Sequence, residues 1–267
     1  MTSTMQSQPV GQLLRTWRQR RRMSQLDLAS EADISAKHLS FLETGRALPS
    51  RAMLLHLAEQ LDVPLRERNL LLTSAGYAPV FPERQLDDPA LAAARRAIDV
   101  VLRGQEPYPA LAIDRHWTLI ASNGAVAPLL AGIAPALVQP PVNVLRLSLH
   151  PDGLAPRIAN LPEWRAHLLA RLRRQIDLSA DPVLVDLLHE LSGYPVGSVR
   201  SSTPFIDRPE AQIAVPFQLT TDAGVLSFLS TTMLFGTPVD VTLSELAIES
   251  FFPANAETAR LLRQAST

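Results

Sequence analysis

Residues 36–41 combine short, cationic and aromatic side chains that the sequence predicts to be exposed on one helix. The exposed positions are Ala36, Lys37, His38, Ser40 and Phe41. Polar and small groups of this kind can contact base edges in the major groove of DNA. Gln25, Arg46 and Arg51 lie at neighbouring helix starts and in the following loop, where they are suited to contact phosphates. The pattern favours a DNA-binding surface.

Catalytic and metal-binding patterns are absent from the sequence. The chain contains no cysteine, which excludes disulfides, thiolate metal sites and a cysteine nucleophile. It has no Gly-x-Ser-x-Gly or phosphate-binding glycine-rich motif, and His189-Glu190 is followed by Gly193 where a zinc motif needs a second histidine. The six histidines show no metal-ligand spacing. We therefore predict a protein that is not an enzyme and needs no metal or cofactor, the remaining alternative being an unrecognised activity of the C-terminal part.

The elements that must position the exposed residues lie within residues 24–45. Ser24 with Asp27 forms a predicted capping box, Ser35 is a predicted N-cap, and Gly45 is a predicted helix stop. The two helices so defined are expected to bury Leu26, Leu28, Ala29, Leu39 and Leu42. This arrangement is a helix-turn-helix, and the alternative is a plain helical bundle with a polar surface.

Three further helices complete an all-α, five-helix domain over residues 10–76. The first runs over residues 10–22, the fourth begins after the N-cap Ser50, and the fifth spans residues 65–75. Residues 77–87 are predicted to be a proline-rich linker. Its apolar residues, Tyr77, Val80 and Phe81, indicate that it docks against the protein.

Length and charge agree with two domains of different function. The chain has 267 residues, of which 46% are hydrophobic and 19% charged. Residues 1–82 carry ten Lys and Arg against seven acids, whereas the remainder carries 15 against 19. A basic head on an acidic body is typical of nucleic-acid binding by the head. The longest apolar run, residues 129–138, is too short to cross a bilayer, and the first ten residues lack a signal-peptide core, so we expect a cytoplasmic protein.

Residues 88–267 are predicted to form an α+β domain with an antiparallel sheet and helices on one side. Short strands are expected near residues 111–114 and 116–123, and a hairpin is expected from alternation at residues 213–219 followed by residues 225–235. Pro216 indicates an edge strand. Helices are predicted over residues 91–102, 126–131, 164–176 and 183–191.

The N-terminal residues resemble the Xre/Cro-type helix-turn-helix family. The resemblance rests on Leu14-Arg15, Arg18, Ser24-Gln25, Leu28-Ala29, Ile34-Ser35, Leu39-Ser40, Glu43-x-Gly45-Arg46 and Pro49-Ser50. It implies a structural ion pair between Arg18 and Glu43 and a helix-two glutamine at Gln25. It also implies base-reading positions at Ser35, Ala36, Lys37 and Phe41.

The remainder is similar to a PAS domain, and more specifically to the ligand-binding half of MmyB-like transcription regulators. The motifs are Glu106-Pro-Tyr-Pro-Ala, Asp114-Arg115-x-Trp117, Asn143-x-Leu-Arg146, Leu149-His150-Pro-Asp-Gly153 and Trp164. The resemblance implies an apolar effector pocket, and fatty-acid-like ligands are known in the family. Expected wall residues are Trp117, Leu119, Phe217, Phe228 and Leu229, and expected polar-head residues are Asn143, Arg146 and His150. Alternatively, the aromatic residues simply fill a core and Arg146 pairs with an acid at the surface.

These observations predict a sequence-specific transcription regulator that binds an operator in double-stranded DNA. We expect a homodimer on an inverted repeat, with no membrane association, and a C-terminal domain that responds to a small apolar metabolite such as a fatty acid. The alternative is a non-catalytic adaptor that binds protein through its head and uses a ligand-free PAS-like domain for dimerisation. The operator, the effector and the direction of regulation stay open.

Overall fold

A computed structural model describes residues 8–195, 215–236 and 238–265. The chain divides into two compact units. The first comprises residues up to 84 with residues 177–179 and 238–244, and the second comprises residues 85–176, 180–237 and 245 onwards. In the described ranges, no helix combines the length and apolar character that a membrane span needs.

The first unit contains the predicted five-helix domain. The helices are α1 (Val10–Arg20), α2 (Gln25–Glu31), α3 (Ala36–Glu43), α4 (Arg51–Gln60) and α5 (Leu65–Ser74). Their boundaries follow the local capping signals. The Ser24 Oγ accepts from the backbone N–H of Asp27 at 3.1 Å while the Asp27 carboxylate accepts from the N–H of Ser24 at 2.7 Å, which is the predicted capping box.

The other predicted helix limits are also confirmed. Ser35 and Ser50 each accept a hydrogen bond from the backbone N–H three residues ahead, at 3.1 Å in both cases. Gly45 has a φ of 73°, a left-handed conformation that glycine adopts without steric cost. The N–H of Arg46 returns to the Phe41 carbonyl at 2.9 Å, so α3 ends in a Schellman-type turn.

The core of the first unit is built from leucines on the inward helix faces. Leu28, Ala29, Leu39 and Leu42 are buried as predicted. Leu26 was also expected to be buried, and that prediction is wrong because its exposed fraction is 69%. Leu26 precedes Leu28 by two positions, which is about 200° around an α-helix, so the two side chains lie on opposite faces.

The segment after α5 docks on the first unit through its polar backbone and its apolar side chains. The Asn69 carboxamide accepts from the N–H of Val80 and Phe81 and donates to the Phe81 carbonyl. Tyr77 packs against the leucine core and its hydroxyl donates to the Pro49 carbonyl at 3.1 Å. These contacts match the docking that the apolar residues of this segment predict.

The second unit is an α+β domain, as predicted. Its helices are α6 (Ala92–Gly104), α7 (Pro135–Val138), α8 (Val144–Leu149), α9 (Leu161–Ser179, of which the last three residues fall in the first unit), α10 (Pro182–Ser192) and α12 (Ala256–Ala265). A short helix of the first unit, α11 (Val241–Ser244), precedes the last strand. The strands are β1 (Ala110–Ile113), β2 (Leu119–Ser122), β3 (Phe217–Thr221), β4 (Gly224–Leu234) and β5 (Ala247–Pro253).

The five strands form one antiparallel sheet in the order β2-β1-β5-β4-β3. The β3–β4 hairpin turns at Thr221 and Gly224, where the sequence predicts it, and β3 is an edge strand, as Pro216 indicates. The predicted strand start at Ile213 lies outside the described residues. Strand β5 has no counterpart among the predicted strands, yet it lies at the centre of the sheet and joins β1 to β4.

Candidate DNA-binding surface and ligand cavity

Helix α3 is fixed to α1 by an ion pair between Arg18 and Glu43. The Nε and Nη2 atoms of Arg18 donate to the two Glu43 carboxylate oxygens at 2.7 and 2.9 Å, and Nη1 donates to the Met23 carbonyl at 2.8 Å. The side chains are 9% and 1% exposed. The structure thus brings together the two residues that the family resemblance pairs.

The charge state of Glu43 reflects two opposing effects. Burial alone raises the pKa of this carboxyl, but hydrogen bonds from Arg18 and Gln25, with attraction to Arg18 and Arg15, outweigh burial and lower the pKa below its usual value. The hydrogen bond to Glu43 raises the pKa of Arg18 in turn. Both residues are therefore charged at neutral pH.

Close backbone packing reinforces this junction. A Cβ atom added to Gly11 in α1 would lie 2.4 Å from the Leu42 carbonyl oxygen and 2.7 Å from that of Glu43. Only glycine allows α1 to approach the end of α3 so closely. The ion pair and the glycine contact together fix the axis of the helix that carries the exposed residues.

Phe41 on α3 contacts two cations with its ring. The Lys37 Nζ is 5.7 Å from the ring centroid, and the Arg46 guanidinium carbon is 5.8 Å from it. Both distances fall within the range of a cation–π interaction. Lys37 and Arg46 are exposed, and Phe41 is half-buried. The ring therefore holds both positive charges on one surface.

The other predicted DNA-contacting residues have the following positions. Ser35, His38 and Arg51 are exposed, and Ala36 and Ser40 are half-buried. The Ser35 hydroxyl is engaged as the N-cap of α3. The Gln25 Nε2 donates to Glu43 at 2.8 Å, so this carboxamide supports the ion pair. We give the name α3 surface to the following residues: Ser35, Ala36, Lys37, His38, Ser40, Phe41 and Arg46.

The second unit contains a partly open cavity of about 100 Å³ between the sheet and helices α8 and α9. Its lining is almost entirely apolar. The wall includes Leu111, Trp117, Leu119, Leu145, Leu154, Trp164, Leu168, Phe217, Phe228 and Phe251. The volume is below the about 300–1,000 Å³ of a drug-sized ligand pocket. A larger ligand therefore requires lining side chains to move apart.

The charged groups of the lining are Arg171 and Glu249, which form an ion pair across the cavity wall. Arg171 donates from Nη1 to the Glu249 Oε2 at 3.0 Å and from Nη2 to the Glu249 Oε1. Thr232 joins both partners, because its Oγ1 accepts from Arg171 at 2.8 Å and donates to the Glu249 Oε1 at 2.9 Å. The exposed fraction is 23% for the Arg171 side chain and 5% for that of Glu249.

Trp117 connects the apolar wall to this ion pair. The Arg171 guanidinium carbon lies 4.7 Å from the Trp117 ring centroid. The indole N–H donates to the Gln175 Oε1 at 2.8 Å. The backbone of Trp117 has a φ of 65°, which is rare for a bulky residue. The contacts of the ring with α9 thus hold a backbone conformation that is unfavourable by itself.

Four of the predicted ligand residues line the cavity, namely Trp117, Leu119, Phe217 and Phe228. Leu229 does not, because it follows Phe228 on β4 and successive strand residues point to opposite faces. The Phe217 ring stacks on Phe228 with a centroid separation of 6.0 Å and lies 5.0 Å from Trp164. The aromatic residues therefore form one continuous part of the wall.

The three predicted polar-head residues lie outside the cavity lining, since each is engaged elsewhere. The Asn143 Oδ1 caps α8 by accepting from the N–H groups of Leu145 and Arg146, both at 3.1 Å. Arg146 forms a bidentate ion pair with Glu190, with distances of 2.7–3.1 Å. The His150 Nδ1 accepts from the N–H of Asp152 at 3.0 Å in a turn. Arg146 therefore pairs with an acid at the surface, as the alternative prediction stated.

Several lining residues were not predicted, above all Arg171 and Glu249. Trp164, Leu168 and Arg171 are spaced by four and three positions on α9, which is the spacing of one helix face. That spacing was a usable signal for Arg171. Glu249 lies on β5, which was itself not predicted. Among the described residues, no group of three or more His, Cys, Asp or Glu is placed so that it could hold a metal ion.

Comparisons with known proteins find a matching family for each part of the chain. Residues 9–71 match a helix-turn-helix domain family, and residues 94–265 match the family described as "MmyB-like transcription regulator ligand binding domain". No curated protein matches the chain. A solved structure titled "Structure of an RNA-binding Light-Oxygen-Voltage Receptor" aligns with 96% of this chain and 63% of its own length, at 13% identity and a TM-score of 0.27. This chain thus spans under two thirds of that protein.

The domain matches agree with the two arrangements described above. A helix-turn-helix unit with exposed cations precedes a domain that contains an apolar cavity, and both correspond to matched families. A DNA-binding domain joined to a ligand-binding domain is the organisation of a ligand-responsive transcription regulator. With most of its length matched by the ligand-binding family, the chain belongs to the MmyB-like transcription regulators.

Proposed function

We propose that this protein binds an operator through the α3 surface as a homodimer and that its second unit responds to a small apolar metabolite. The observation that carries the proposal is the combination, in one chain, of exposed cations on a helix-turn-helix with an apolar cavity. Neither feature alone distinguishes a regulator from a simple DNA-binding or lipid-binding protein.

Base readout is assigned to the exposed residues early in α3, with Lys37 as the main donor. Lysine can donate to the O6 and N7 atoms of guanine in the major groove. Arg46 and Arg51 are assigned to phosphates, where they would contribute affinity without sequence preference. A single short helix contacts few base pairs, and a homodimer on an inverted repeat would double the contact.

The ligand is proposed to be an apolar molecule of the fatty-acyl type. Support comes from the leucine and aromatic lining, which offers dispersion and hydrophobic contacts but few polar partners. The family resemblance implies a fatty acid as one such ligand. Binding would change the equilibrium between conformations with different DNA affinity.

The DNA-binding part is tested by mobility-shift titration of genomic fragments. The wild type should select a subset of fragments, and Lys37→Ala should bind them with less discrimination. Arg46→Ala should weaken binding to all fragments and reduce the salt slope by about one unit. Equal, sequence-independent binding by the wild type and Lys37→Ala would refute base readout by α3.

The ligand-binding part is tested by native mass spectrometry of freshly purified protein. A bound small molecule of defined mass, lost in Leu168→Trp, would support the proposal, because the larger side chain fills the cavity. The matched control is Leu178→Trp, since Leu178 is an exposed residue of the same helix. Protein that neither carries nor takes up any apolar compound would contradict ligand sensing by this cavity.

A further inference from the structure

The Arg171–Glu249 pair is the charged part of the cavity lining. An inference about the head group of a ligand rests on the proposed ligand-binding function. We propose that the cavity selects an acyl-chain ligand with an uncharged oxygen-containing head, such as an alcohol, an ester or an amide, over a free carboxylate. The selection arises because the positive group of the wall is already neutralised by a buried anion.

The geometry of the pair supports this inference. Both Glu249 oxygens accept hydrogen bonds from Arg171, and Oε1 also accepts from Thr232. A ligand carboxylate at Arg171 would either displace Glu249 or lie beside it. Displacement leaves a nearly fully buried carboxylate with Thr232 as its remaining partner among these contacts, and buried unpaired charge is strongly unfavourable. Joint occupancy places two anions together in an apolar surrounding.

An uncharged head avoids both penalties. Arginine has five N–H donors, so the guanidinium retains donor capacity beyond its bonds to Glu249 and Thr232. A neutral hydroxyl or carbonyl oxygen could accept from such a donor without competing for the ion pair. The nearby His167 adds no compensating positive charge, since burial, followed by repulsion from Arg171 and Arg174, lowers its pKa.

The other polar groups of the lining are uncharged, so they cannot neutralise a ligand carboxylate. The Ser148 hydroxyl accepts from the Trp164 indole N–H at 3.1 Å. The Trp117 indole N–H donates to Gln175. The indole donors of the wall are therefore satisfied within the protein, and Arg171 is the cation that a ligand head would meet.

The experiment is isothermal titration calorimetry of the full chain at neutral pH with two probes of equal chain length, decan-1-ol and decanoate. The wild type should bind decan-1-ol at least about tenfold more tightly, which corresponds to about 1.4 kcal/mol. Glu249→Gln keeps the size of the side chain and removes its charge, so Arg171 becomes an unpaired cation. This variant should reverse the preference in favour of decanoate.

Two further variants separate the role of charge from that of folding. Glu190→Gln makes the same change in the Arg146–Glu190 pair, outside the cavity lining, and should leave the wild-type preference unchanged. Arg171→Gln/Glu249→Gln removes both charges and should again prefer decan-1-ol. The double variant thus tests whether the reversal in Glu249→Gln requires the Arg171 cation, and a double variant that also prefers decanoate would contradict the inference.

The outcomes distinguish the inference from the function on which it rests. Equal or tighter binding of decanoate by the wild type would overturn the head-group inference and leave the apolar-ligand function intact. An unchanged preference in Glu249→Gln would also overturn it. Failure of both probes to bind the wild type would contradict the proposed ligand function and the inference together.

Discussion

Arg18 and Glu43 are joined by two parallel hydrogen bonds of 2.7 and 2.9 Å, although 25 positions separate them in the chain. This pair links the first helix of the head to the last residue of the helix that carries the α3 surface. The orientation of α3 thus depends on a charge that lies on a different helix.

Removal of Arg18 should destabilise the first unit strongly. Arg18→Met leaves the Glu43 carboxylate buried with the Gln25 amide as its remaining side-chain donor. We expect the free energy of unfolding to fall by about 3 kcal/mol. Urea unfolding followed by far-UV circular dichroism measures the change. Arg18→Met/Glu43→Leu should recover most of the loss, and a double variant less stable than Arg18→Met would contradict this account.

The same pair predicts acid sensitivity of the first unit. Because the folded-state pKa of Glu43 is lowered from about 4.5, its stabilising contribution is complete above that pH and is lost as pH falls through the folded-state pKa. The unfolding free energy of Glu43→Gln should therefore depend less steeply on pH below 4.5 than that of the wild type. Asp27 has a lowered pKa in both proteins, through hydrogen bonds with Ser24, so its effect cancels. Parallel pH profiles would contradict the prediction.

Gly11→Ala should displace α1 from the end of α3. The added methyl group would overlap two backbone carbonyl oxygens that cannot rotate away. We expect a loss of about 1–3 kcal/mol in stability and weaker DNA binding. Thermal unfolding and mobility-shift titration measure the two effects. Gly104→Ala is the control, because a Cβ there meets no atom within 4 Å and should be neutral or stabilising. Equal stability of both variants would exclude the steric explanation.

Phe41→Leu should weaken DNA binding without unfolding the head. Leucine keeps an apolar side chain but removes the ring that holds Lys37 and Arg46. Each exposed cation–π contact contributes about 0.5–1 kcal/mol, so loss of both contacts corresponds to an affinity loss of about five- to thirtyfold. Mobility-shift titration provides the measurement, with circular dichroism as a check on folding. Unchanged affinity would show that the ring does not organise these cations for DNA.

The first unit was predictable from sequence because its signals are local. Three helix starts are set by serines that accept a hydrogen bond from a backbone N–H three residues ahead, namely Ser24, Ser35 and Ser50. The end of α3 is set by the left-handed backbone of Gly45. The failure at Leu26 arose from its apolar character, which does not fix the face on which a residue lies in a helix of only seven residues.

The second unit was less predictable, since its site depends on long-range pairing. Strand β5 contains Ile248, Glu249 and Ser250, which are all buried, so it lacks the alternation of apolar and polar residues that identifies a half-exposed strand. The polar part of the cavity joins α9 to β5 across 78 positions. Asn143 and Arg146 have the right chemistry for a ligand head, but helix capping and Glu190 already engage them.

The positions of the tryptophans give the protein a built-in optical reporter. Two of the three tryptophans, Trp117 and Trp164, line the cavity, whereas Trp17 is buried in the core of the first unit. In Trp17→Phe, all intrinsic indole fluorescence would arise from the cavity wall. Its emission would then follow occupancy of the cavity directly, without a label and in the presence of DNA.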